Sequence, residues 1–156
     1  MLTKYTQNDT RQRIYIRDGR SPIPKNETTS KVMSANKAKN TKPEFLLRKA
    51  IFKQGIRGYR LNLRDIPGRP DIAFLKKKKA IFVHGCFWHR CPYCNLPLPN
   101  SNTDFWKKKF KNNVDRDKRT VQKLEAAGWE VLVIWECQIN QYIDKCVKQV
   151  QSLFTE

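Results

Sequence analysis

Apolar residues recur at helical spacing in three segments of the chain. The tetrapeptide Thr-Lys-Pro-Glu at 41–44 has the form of a capping box, and glycines follow the first and second segments. The last segment places Cys146 within its apolar face, which favours a core position for that cysteine. The predicted helices run from Thr41, as N-cap, to Gly55, from about Asp104 to Ala127 behind an N-cap at Thr103, and over about 139–154.

Strand-like runs alternate with these helices. They cover residues 59–63, 71–75, 80–83 and 130–135. A turn rich in Pro and Gly occupies 66–70, residues 84–103 are predicted to be loop, and the four lysines at 76–79 are interpreted as a solvated turn rather than a dedicated DNA contact. Strands mixed with helices, with one helix crossing between strands, indicate an α/β fold with a mixed β-sheet flanked by helices.

The charge of the chain points to a class of partner. Its 156 residues, enough for one domain, include 32 Lys and Arg against 14 Asp and Glu, a formal net charge of +18. A nucleic acid is the economical explanation, because each cation that neutralises a phosphate releases a condensed counterion. The alternatives are a merely basic protein and a binder of membrane surfaces.

The sequence contains no apolar run of transmembrane length and no apolar signal region near its start. We therefore expect a cytoplasmic protein with reduced cysteines and no membrane association. Residues 1–28, which have no sustained period, are expected to form a flexible basic arm ahead of a domain over 29–156, with regular structure beginning near Thr41.

A carboxylate interrupts the apolar stripe of the predicted helix over 104–127. Asp117 occupies a core-facing position there, and burying an unpaired carboxylate costs roughly several kcal/mol. The two histidines of the chain, His84 and His89, lie in the predicted loop, so an Asp–His pair that orients an imidazole is one interpretation. Bonding of the carboxylate to Arg116, Arg119 or a helix N-terminus is the other.

Asp71 follows a Pro-Gly-Arg-Pro turn at the start of a predicted strand, where two prolines stiffen the preceding backbone. A rigid carboxylate of this kind suits Mg²⁺, which takes one or two carboxylates together with phosphate oxygens. Taken alone, an aspartate in a turn more often caps its own backbone.

Four cysteines have the pattern of a zinc site. Three of them lie within nine residues, at Cys86, Cys91 and Cys94, and Cys137 directly follows a predicted strand as a fourth ligand. Four thiolates satisfy tetrahedral zinc and leave no open position, so the site would be structural. Cysteines that merely pack in the core are the alternative.

Two aromatic residues, Phe87 and Trp88, lie between a proposed zinc ligand and His89. Apolar wedges that enter between base steps unstack and bend a duplex, although core packing explains these side chains equally well. Trp106 is open to the same two interpretations.

Four motifs together carry a resemblance to a nuclease family. They are PGRPD at 67–71, AIFVHGCFWH at 80–89, FWKKKFKNNVDRD at 105–117 and GWEVLVIWEC at 128–137. Over about residues 29–140 the chain resembles the Vsr endonucleases of very short patch repair. The resemblance implies a restriction-endonuclease-like core. It also implies nicking of one DNA strand on the 5′ side of the thymine in a T:G mismatch, such as arises when 5-methylcytosine deaminates.

The resemblance implies a role for each residue of the site. Asp71 and the main-chain carbonyl of Val83 are implied to bind Mg²⁺. Valine at 83 replaces a threonine that is common in the family, and a backbone ligand tolerates that change. His89, paired with Asp117, is implied to activate the attacking water, while His84 stabilises the phosphate or a metal-bound water.

The remaining implied roles concern support and DNA contact. Glu44 is implied to be an outer-shell acid, although a capping-box role explains it equally well. The zinc ligands are Cys86, Cys91, Cys94 and Cys137, with cysteine at 91 where some relatives have histidine. The residues implied to intercalate are Phe87, Trp88 and Trp106, and those implied to touch the mispaired bases are Met33, Lys109 and Asn113.

The expected partner is double-stranded DNA with a T:G mismatch, cut by a monomer. A cytosine-5 methyltransferase and mismatch-repair proteins are further expected partners, and the arm over 1–28 is expected to clasp DNA. Two rival functions remain open at this point. One is a nuclease of the same kind that cuts undamaged DNA in a restriction or mobile-element role, and the other is a non-catalytic DNA-binding module stapled by zinc.

Overall fold

The computed structural model describes residues 21–155, and the chain divides into two compact units that meet between Asn36 and Lys37. In the first unit, helix α1 spans Glu27–Ala35 and buries none of its residues. The side chain of Asn26 caps it by accepting a hydrogen bond from the Thr29 amide at 2.8 Å. The expectation that regular structure begins near Thr41 was therefore wrong, while most of the expected arm over 1–28 lies outside the described residues.

The second unit contains a three-stranded sheet and three α-helices. Its elements are α2 (Lys42–Lys53), β1 (Ile72–Phe74), a 3-10 turn (Leu75–Lys77), β2 (Lys79–His84), α3 (Thr103–Ala126), β3 (Glu130–Trp135) and α4 (Glu136–Ser152). The strand order is β1-β2-β3, with β1 antiparallel and β3 parallel to β2. The sheet is therefore mixed, as predicted, and α3 is the crossover between its parallel pair.

The predicted strand over 59–63 was wrong. Only an isolated bridge forms there, in which Arg60 and Ala73 exchange two backbone hydrogen bonds of 2.8 Å. Positive φ angles at Gly58 and Asn62 turn the backbone away on both sides of the bridge. Because a bridge of one residue pair does not form a further strand, β1 remains an edge strand of the three-stranded sheet.

Three other boundaries differ from prediction. Helix α4 begins at Glu136 rather than near 139, because β3 passes into it without a loop and the Gln138 side chain accepts a hydrogen bond from the Trp135 amide at 2.9 Å. Asn102, in the left-handed region, takes the N-cap position of α3 that was predicted for Thr103. Within the lysine run, Lys79 belongs to β2 and contacts Glu130, whereas 76–78 form an exposed turn as interpreted.

Two apolar layers cover the sheet. On one face, α2 and α4 pack residues such as Leu47, Ile51 and Val150 against the strands, and Cys146 is 1% exposed, which confirms its core position. On the other face, Phe82 packs against Leu124 of α3. Of the helices within 21–155, none combines the length and apolar character needed to cross a bilayer.

The antiparallel register brings functional residues to one edge of the sheet. Ile72 lies opposite Ile81, so the start of β1 lies beside the end of β2. Asp71 precedes the first of these strands and His84 ends the second. The loop that continues from His84 stays at this edge.

Candidate active site

Asp71 is bonded directly to the neighbouring strand. Its Oδ2 accepts a hydrogen bond from the Val83 amide at 2.7 Å. The pKa of Asp71 is raised to about 6, mainly by burial and also by the nearby charge of Glu44, against the opposing effects of the Val83 amide, His89 and Arg48. The carboxyl is therefore half-buried, oriented, and under the influence of both acidic and basic neighbours.

A histidine and an aspartate from different elements form the closest side-chain pair at this edge. Nδ1 of His89 lies 2.5 Å from Oδ2 of Asp117, and both side chains are partly buried. Nη2 of Arg116 lies 3.2 Å from the other oxygen, so both predicted interpretations of Asp117 are realised at once. Although burial acts to raise the pKa of Asp117, the hydrogen bond and charge of His89 outweigh it and lower the pKa.

The second histidine stacks on the first. The ring centroids of His84 and His89 are 4.0 Å apart with an interplanar angle of 11°, and Trp135 meets His84 edge-on. The pKa of His84 is lowered to about 4, mainly by burial and also by the adjacent His89. His84 is therefore a neutral imidazole at neutral pH, and one ligand atom each from His84, His89 and Asp117 lies within 4.8 Å of the other two.

Glu44 has a clear structural task at the start of α2. It is 5% exposed and accepts hydrogen bonds from the Asn40 amide and the Thr41 hydroxyl, both at 2.8 Å, as well as from the Thr41 amide at 3.3 Å. These contacts satisfy the helix start, as expected of a capping box. The charge of Glu44 nevertheless acts on Asp71. The capping role is therefore observed, and the outer-shell role stays a prediction.

Two residues of the site were missed by the sequence analysis. Arg48 lies one helical turn after Glu44, acts electrostatically on Asp71, and donates to the Asn40 side chain at 3.0 Å. Glu136 accepts a hydrogen bond from the Cys86 amide at 3.1 Å. The i+4 spacing from Glu44 was a usable signal for Arg48. Glu136 gave no signal, since its contact joins residues 50 positions apart.

The four predicted zinc ligands come together. The Sγ atoms of Cys86, Cys91, Cys94 and Cys137 all lie within 4.8 Å of one another. The 3.7 Å separation between the sulfurs of Cys91 and Cys137 matches the roughly 3.8 Å edge of a tetrahedron with zinc–sulfur bonds of about 2.3 Å. Burial raises the pKa of Cys137 to about 11, which favours the protonated thiol when no cation is near. A cation among these sulfurs would favour the thiolate forms, because the thiolates are the forms that bind it. The donor set fits zinc.

The predicted aromatic residues form one cluster beside the histidines. Phe87 contacts Trp88, Trp106 and Phe110 edge-on, with ring centroids 5.1 to 5.5 Å apart. Phe87 and Trp88 are partly exposed, whereas Trp106 is 8% exposed and stacks on Phe110. The cluster therefore has an accessible part and a buried part.

The residues implied to touch bases are distributed differently. Asn113 is buried and donates a hydrogen bond to the Trp88 carbonyl at 2.9 Å, which anchors the aromatic loop to α3. Lys109 is partly exposed on the same helix. Met33 lies in α1, within the first compact unit. The base contacts of all three stay predictions.

Comparison with known proteins identifies relatives over most of the chain. The family model described as DNA mismatch endonuclease Vsr matches residues 22–95. The type II nicking enzyme V.NmeAIP of Neisseria meningitidis serogroup A is 45% identical over 72% of this chain and 82% of its own length. The type II nicking enzyme V.NaeI of Lentzea aerocolonigenes is 43% identical over 76% of this chain and 73% of its own.

A third relative carries the family name itself. The DNA mismatch endonuclease Vsr of Escherichia coli K12 is 38% identical over 72% of both chains. Among solved structures, the catalytic domain of the homing endonuclease I-Bth0305I superposes with a TM-score of 0.52 and 24% identity, covering 74% of this chain and 95% of that one, which shows a shared fold. The predicted nuclease-like α/β fold and the endodeoxyribonuclease activity are confirmed, and the chain belongs to the Vsr endonuclease family.

Proposed function

We propose that this endonuclease requires Mg²⁺ and nicks one strand of duplex DNA on the 5′ side of the thymine in a T:G mismatch. The observation that carries the proposal is the pairing of His89 with Asp117 at the sheet edge that also holds Asp71, directly beside the partly exposed aromatic pair. A proton acceptor, a carboxylate for a hard cation and an apolar wedge are the parts that such a reaction needs.

The oxygen donors at the edge fit magnesium. Asp71 offers a carboxylate, and the Val83 carbonyl belongs to the residue whose amide already holds that carboxylate. One carboxylate supplemented by neutral oxygens and phosphate is the usual environment of protein-bound Mg²⁺. When bound, the ion would neutralise the scissile phosphate and stabilise the leaving 3′ oxygen.

The proton-transfer step is assigned to His89. Its Nδ1 is engaged by Asp117, so Nε2 remains to take a proton from the attacking water. The carboxylate fixes the tautomer and stabilises the imidazolium that forms. The stacked His84, neutral because of its burial, is assigned to hydrogen-bond a phosphate oxygen without adding charge.

Selectivity for the mismatch is assigned to the aromatic cluster. A T:G wobble pair stacks poorly and opens cheaply, so a wedge penalises a normal duplex more than a mismatched one. Phe87 and Trp88 are partly exposed and are suited to enter the base stack. Trp106 packs on Phe110, so its part in intercalation requires the cluster to open on DNA.

The four cysteines are assigned to a structural zinc ion. They brace the loop that carries His89 and the aromatic pair, since Cys86 and Cys91 flank those residues. Cys94→Ala is expected to lose the bound zinc and to lower the melting temperature. Cys146→Ala, a change of the core cysteine outside the cluster, is expected to retain zinc. Equal zinc content in both variants would refute the assignment.

The proposal includes the cellular setting that such a substrate implies. The enzyme would work as a monomer in the cytoplasm, where the chromosome of a bacterium lies. It would act after a cytosine-5 methyltransferase and together with mismatch-repair proteins. Support comes from the net charge of +18, which suits a polyanion, and from the name of the Escherichia coli relative.

The decisive experiment compares two duplexes of identical sequence that differ only in carrying T:G or T:A. We expect nicking of the T:G duplex with Mg²⁺ and none with a chelator of magnesium, with the break 5′ of the thymine. Asp71→Asn should abolish nicking while retaining the hydrogen bond from Val83. Equal rates on the two duplexes would overturn the mismatch specificity and leave the endonuclease activity intact.

A second candidate function is nicking of an undamaged recognition sequence. It is favoured by the names of two relatives, both type II nicking enzymes, which share 45% and 43% identity with this chain. This candidate predicts cleavage of T:A and T:G duplexes at equal rates whenever the flanking sequence is correct. A panel of mismatched duplexes in varied sequence contexts distinguishes it from the first.

A further inference from the structure

A pocket of about 640 Å³ lies at the end of the sheet opposite to the candidate active site. Its wall includes Phe74 and Leu75, where β1 ends, together with Lys77, just before β2 begins. The active site lies at the other end of the same strands, five residues along β2 from Lys79 to His84, which corresponds to about 17 Å. The volume is typical of ligand sites, which span roughly 300 to 1,000 Å³.

Four cationic side chains surround this pocket. They are Arg57, Arg60, Lys76 and Lys77. Within residues 21–155, none of the four belongs to an ion pair, whereas the neighbouring Lys79 is paired with Glu130. Clustered cations without local carboxylates raise the positive potential of a concave surface. The pocket is therefore suited to an anionic occupant.

The wall between the cations is apolar. Leu75 is 47% exposed, although it is a large aliphatic residue, and Ile56 and Phe154 are partly buried beside it. Phe154 meets the buried Phe74 edge-on with ring centroids 4.8 Å apart, which fixes the pocket floor. A concave apolar wall with a few charged groups around it is the usual lining of a binding site.

The aromatic geometry argues against a stacked nucleobase. The ammonium groups of Lys77 and Lys79 lie over the Phe154 ring, 5.1 and 5.8 Å from its centroid. Phe74 is only 6% exposed. Binding of single-stranded nucleic acid uses free aromatic faces as stacking platforms. The accessible apolar wall is instead aliphatic, formed by Ile56 and Leu75, and it suits an aliphatic side chain.

The N-terminal segment of this chain is a poor occupant on grounds of charge. Residues 1–20 contain five Lys and Arg against two Asp. A segment with a net positive charge is repelled by four cations. The occupant is therefore to be sought in another molecule with the opposite charge.

We propose that this pocket docks an acidic peptide segment of a partner protein, with an aliphatic side chain against Leu75 and carboxylates on the four cations. Charge complementarity and the aliphatic wall define the occupant. Because the pocket and the active site lie at opposite ends of the sheet, such a partner would bind while the nuclease holds DNA. The proposal does not depend on the mismatch specificity, since it concerns a separate surface.

The test uses two synthetic, fluorescently labelled peptides and the full-length protein. The first is a decapeptide in which Asp alternates with Leu, and the second has the same acidic residues with Ser in place of Leu. Fluorescence anisotropy at physiological ionic strength measures both affinities, because salt weakens diffuse attraction to a highly basic protein. We expect the Asp/Leu peptide to bind at least tenfold more tightly than the Asp/Ser peptide.

Charge-reversal variants locate the binding. The double variant R60E/K76E is expected to weaken binding of the Asp/Leu peptide at least tenfold. The matched control R119E/K123E reverses one Arg and one Lys on the exposed surface of α3. We expect it to change the affinity for the Asp/Leu peptide less than threefold. Circular dichroism and melting temperature verify that both variants fold.

The apolar contact is tested at Leu75. Leu75→Ser should remove the preference for the Asp/Leu peptide over the Asp/Ser peptide, and Leu75→Met should retain it. Equal affinity for the two peptides in the wild type, or an equal loss in both charge-reversal variants, would overturn the proposal in favour of diffuse electrostatic attraction. A ten-nucleotide oligothymidine provides the last test. If it displaces the peptide, and if R60E/K76E weakens binding of the oligonucleotide more than R119E/K123E does, the pocket is assigned to nucleic acid and the peptide proposal is overturned.

Discussion

One nitrogen of the His89 ring is already engaged, and this decides what the residue is able to do. Asp117 holds Nδ1 at 2.5 Å, and Arg116 occupies the other carboxylate oxygen at 3.2 Å. The carboxylate is thus held from two sides and keeps the imidazole in one tautomer and one orientation. Loss of its charge, with its shape retained, should therefore affect catalysis more than folding.

Asp117→Asn is expected to lower the nicking rate about a hundredfold or more, because general-base catalysis contributes roughly 10²- to 10⁴-fold. DNA affinity and melting temperature should change little. Single-turnover nicking under excess enzyme measures the rate. Asp115→Asn is the matched control, since Asp115 lies on the same helix but pairs with Lys111. A rate for Asp117→Asn equal to that of the control would remove Asp117 from the mechanism.

Two titratable groups of the site, the half-buried Asp71 and the buried His84, make opposite contributions to stability as the pH changes. The pKa of Asp71 is raised to about 6, so its contribution is fully present at low pH and is lost as the pH rises through about 6. The pKa of His84 is lowered to about 4, so the unfolded chain binds its proton more readily, and stability is lost as the pH falls from about 6.5 towards 4.

Substitution of either Asp71 or His84 should reveal the pH-dependent contribution of the other residue to stability. For Asp71→Asn, the free energy of unfolding should rise more between about pH 4.5 and pH 6.5 than it does for the wild type, by at most about 3 kcal/mol. For His84→Asn, the free energy of unfolding should rise less over this pH range than it does for the wild type. Urea unfolding in magnesium-free buffer at both pH values measures these differences, with Asp144→Asn, an exposed position on α4, as the control. Parallel pH profiles for all four proteins would contradict the opposing contributions.

At the scale of elements, the turn before β1 couples Asp71 to the helix that carries Asp117. Gly68 has a φ of +74°, and a Cβ built on it would lie 2.2 Å from the Cγ2 of Thr120. Thr120 follows Asp117 on α3 by about one turn. Close contact between a glycine and this helix therefore fixes the distance between two residues of the site that come from separate elements.

Gly68→Ala is expected to destabilise the protein by about 2 to 4 kcal/mol. Overpacking against Thr120 contributes about 1–3 kcal/mol, and the positive φ contributes about 1 kcal/mol more. In the T120A background the clash is absent, so adding Gly68→Ala should cost only the free energy of the positive φ. The difference in free energy of unfolding between G68A/T120A and T120A should therefore be about 1 kcal/mol. Urea unfolding of the four proteins measures the coupling. Strict additivity of the two changes would show that the turn does not pack on α3 as described.

The sequence predicted those elements whose pattern is local. The periodicities of α2, α3 and β3 are carried by neighbouring residues, and Asp117 stood out because it breaks such a period. The strand over 59–63 failed because its pairing partner and the positive φ at Asn62 are not encoded in its own alternation. The contact of Glu136 with Cys86 depends on a tertiary approach between distant residues, which no local pattern reveals.

At the scale of the whole molecule, two kinds of DNA contact are expected to act independently. In the proposed function, the net charge of +18 would supply attraction to phosphates that falls with salt, whereas the aromatic cluster would supply a contact whose cost depends on how easily a base pair opens. Exposed lysines of α3 such as Lys108 belong to the first kind. Phe87 and Trp88 belong to the second.

Substitutions of the lysines and of the aromatic residues should therefore change different measured quantities. Lys108→Ala should weaken binding to T:G and T:A duplexes alike and reduce the slope of log affinity against log salt by about 1. Phe87→Ala combined with Trp88→Ala should leave that slope unchanged and lower the ratio of T:G to T:A nicking. Tyr93→Ala, which removes a 71% exposed aromatic residue of the same loop, is the control for the ratio. A ratio that survives loss of both wedge residues would place mismatch selectivity elsewhere, because the phosphate contacts are the same in the two duplexes and carry no information about the mispaired base.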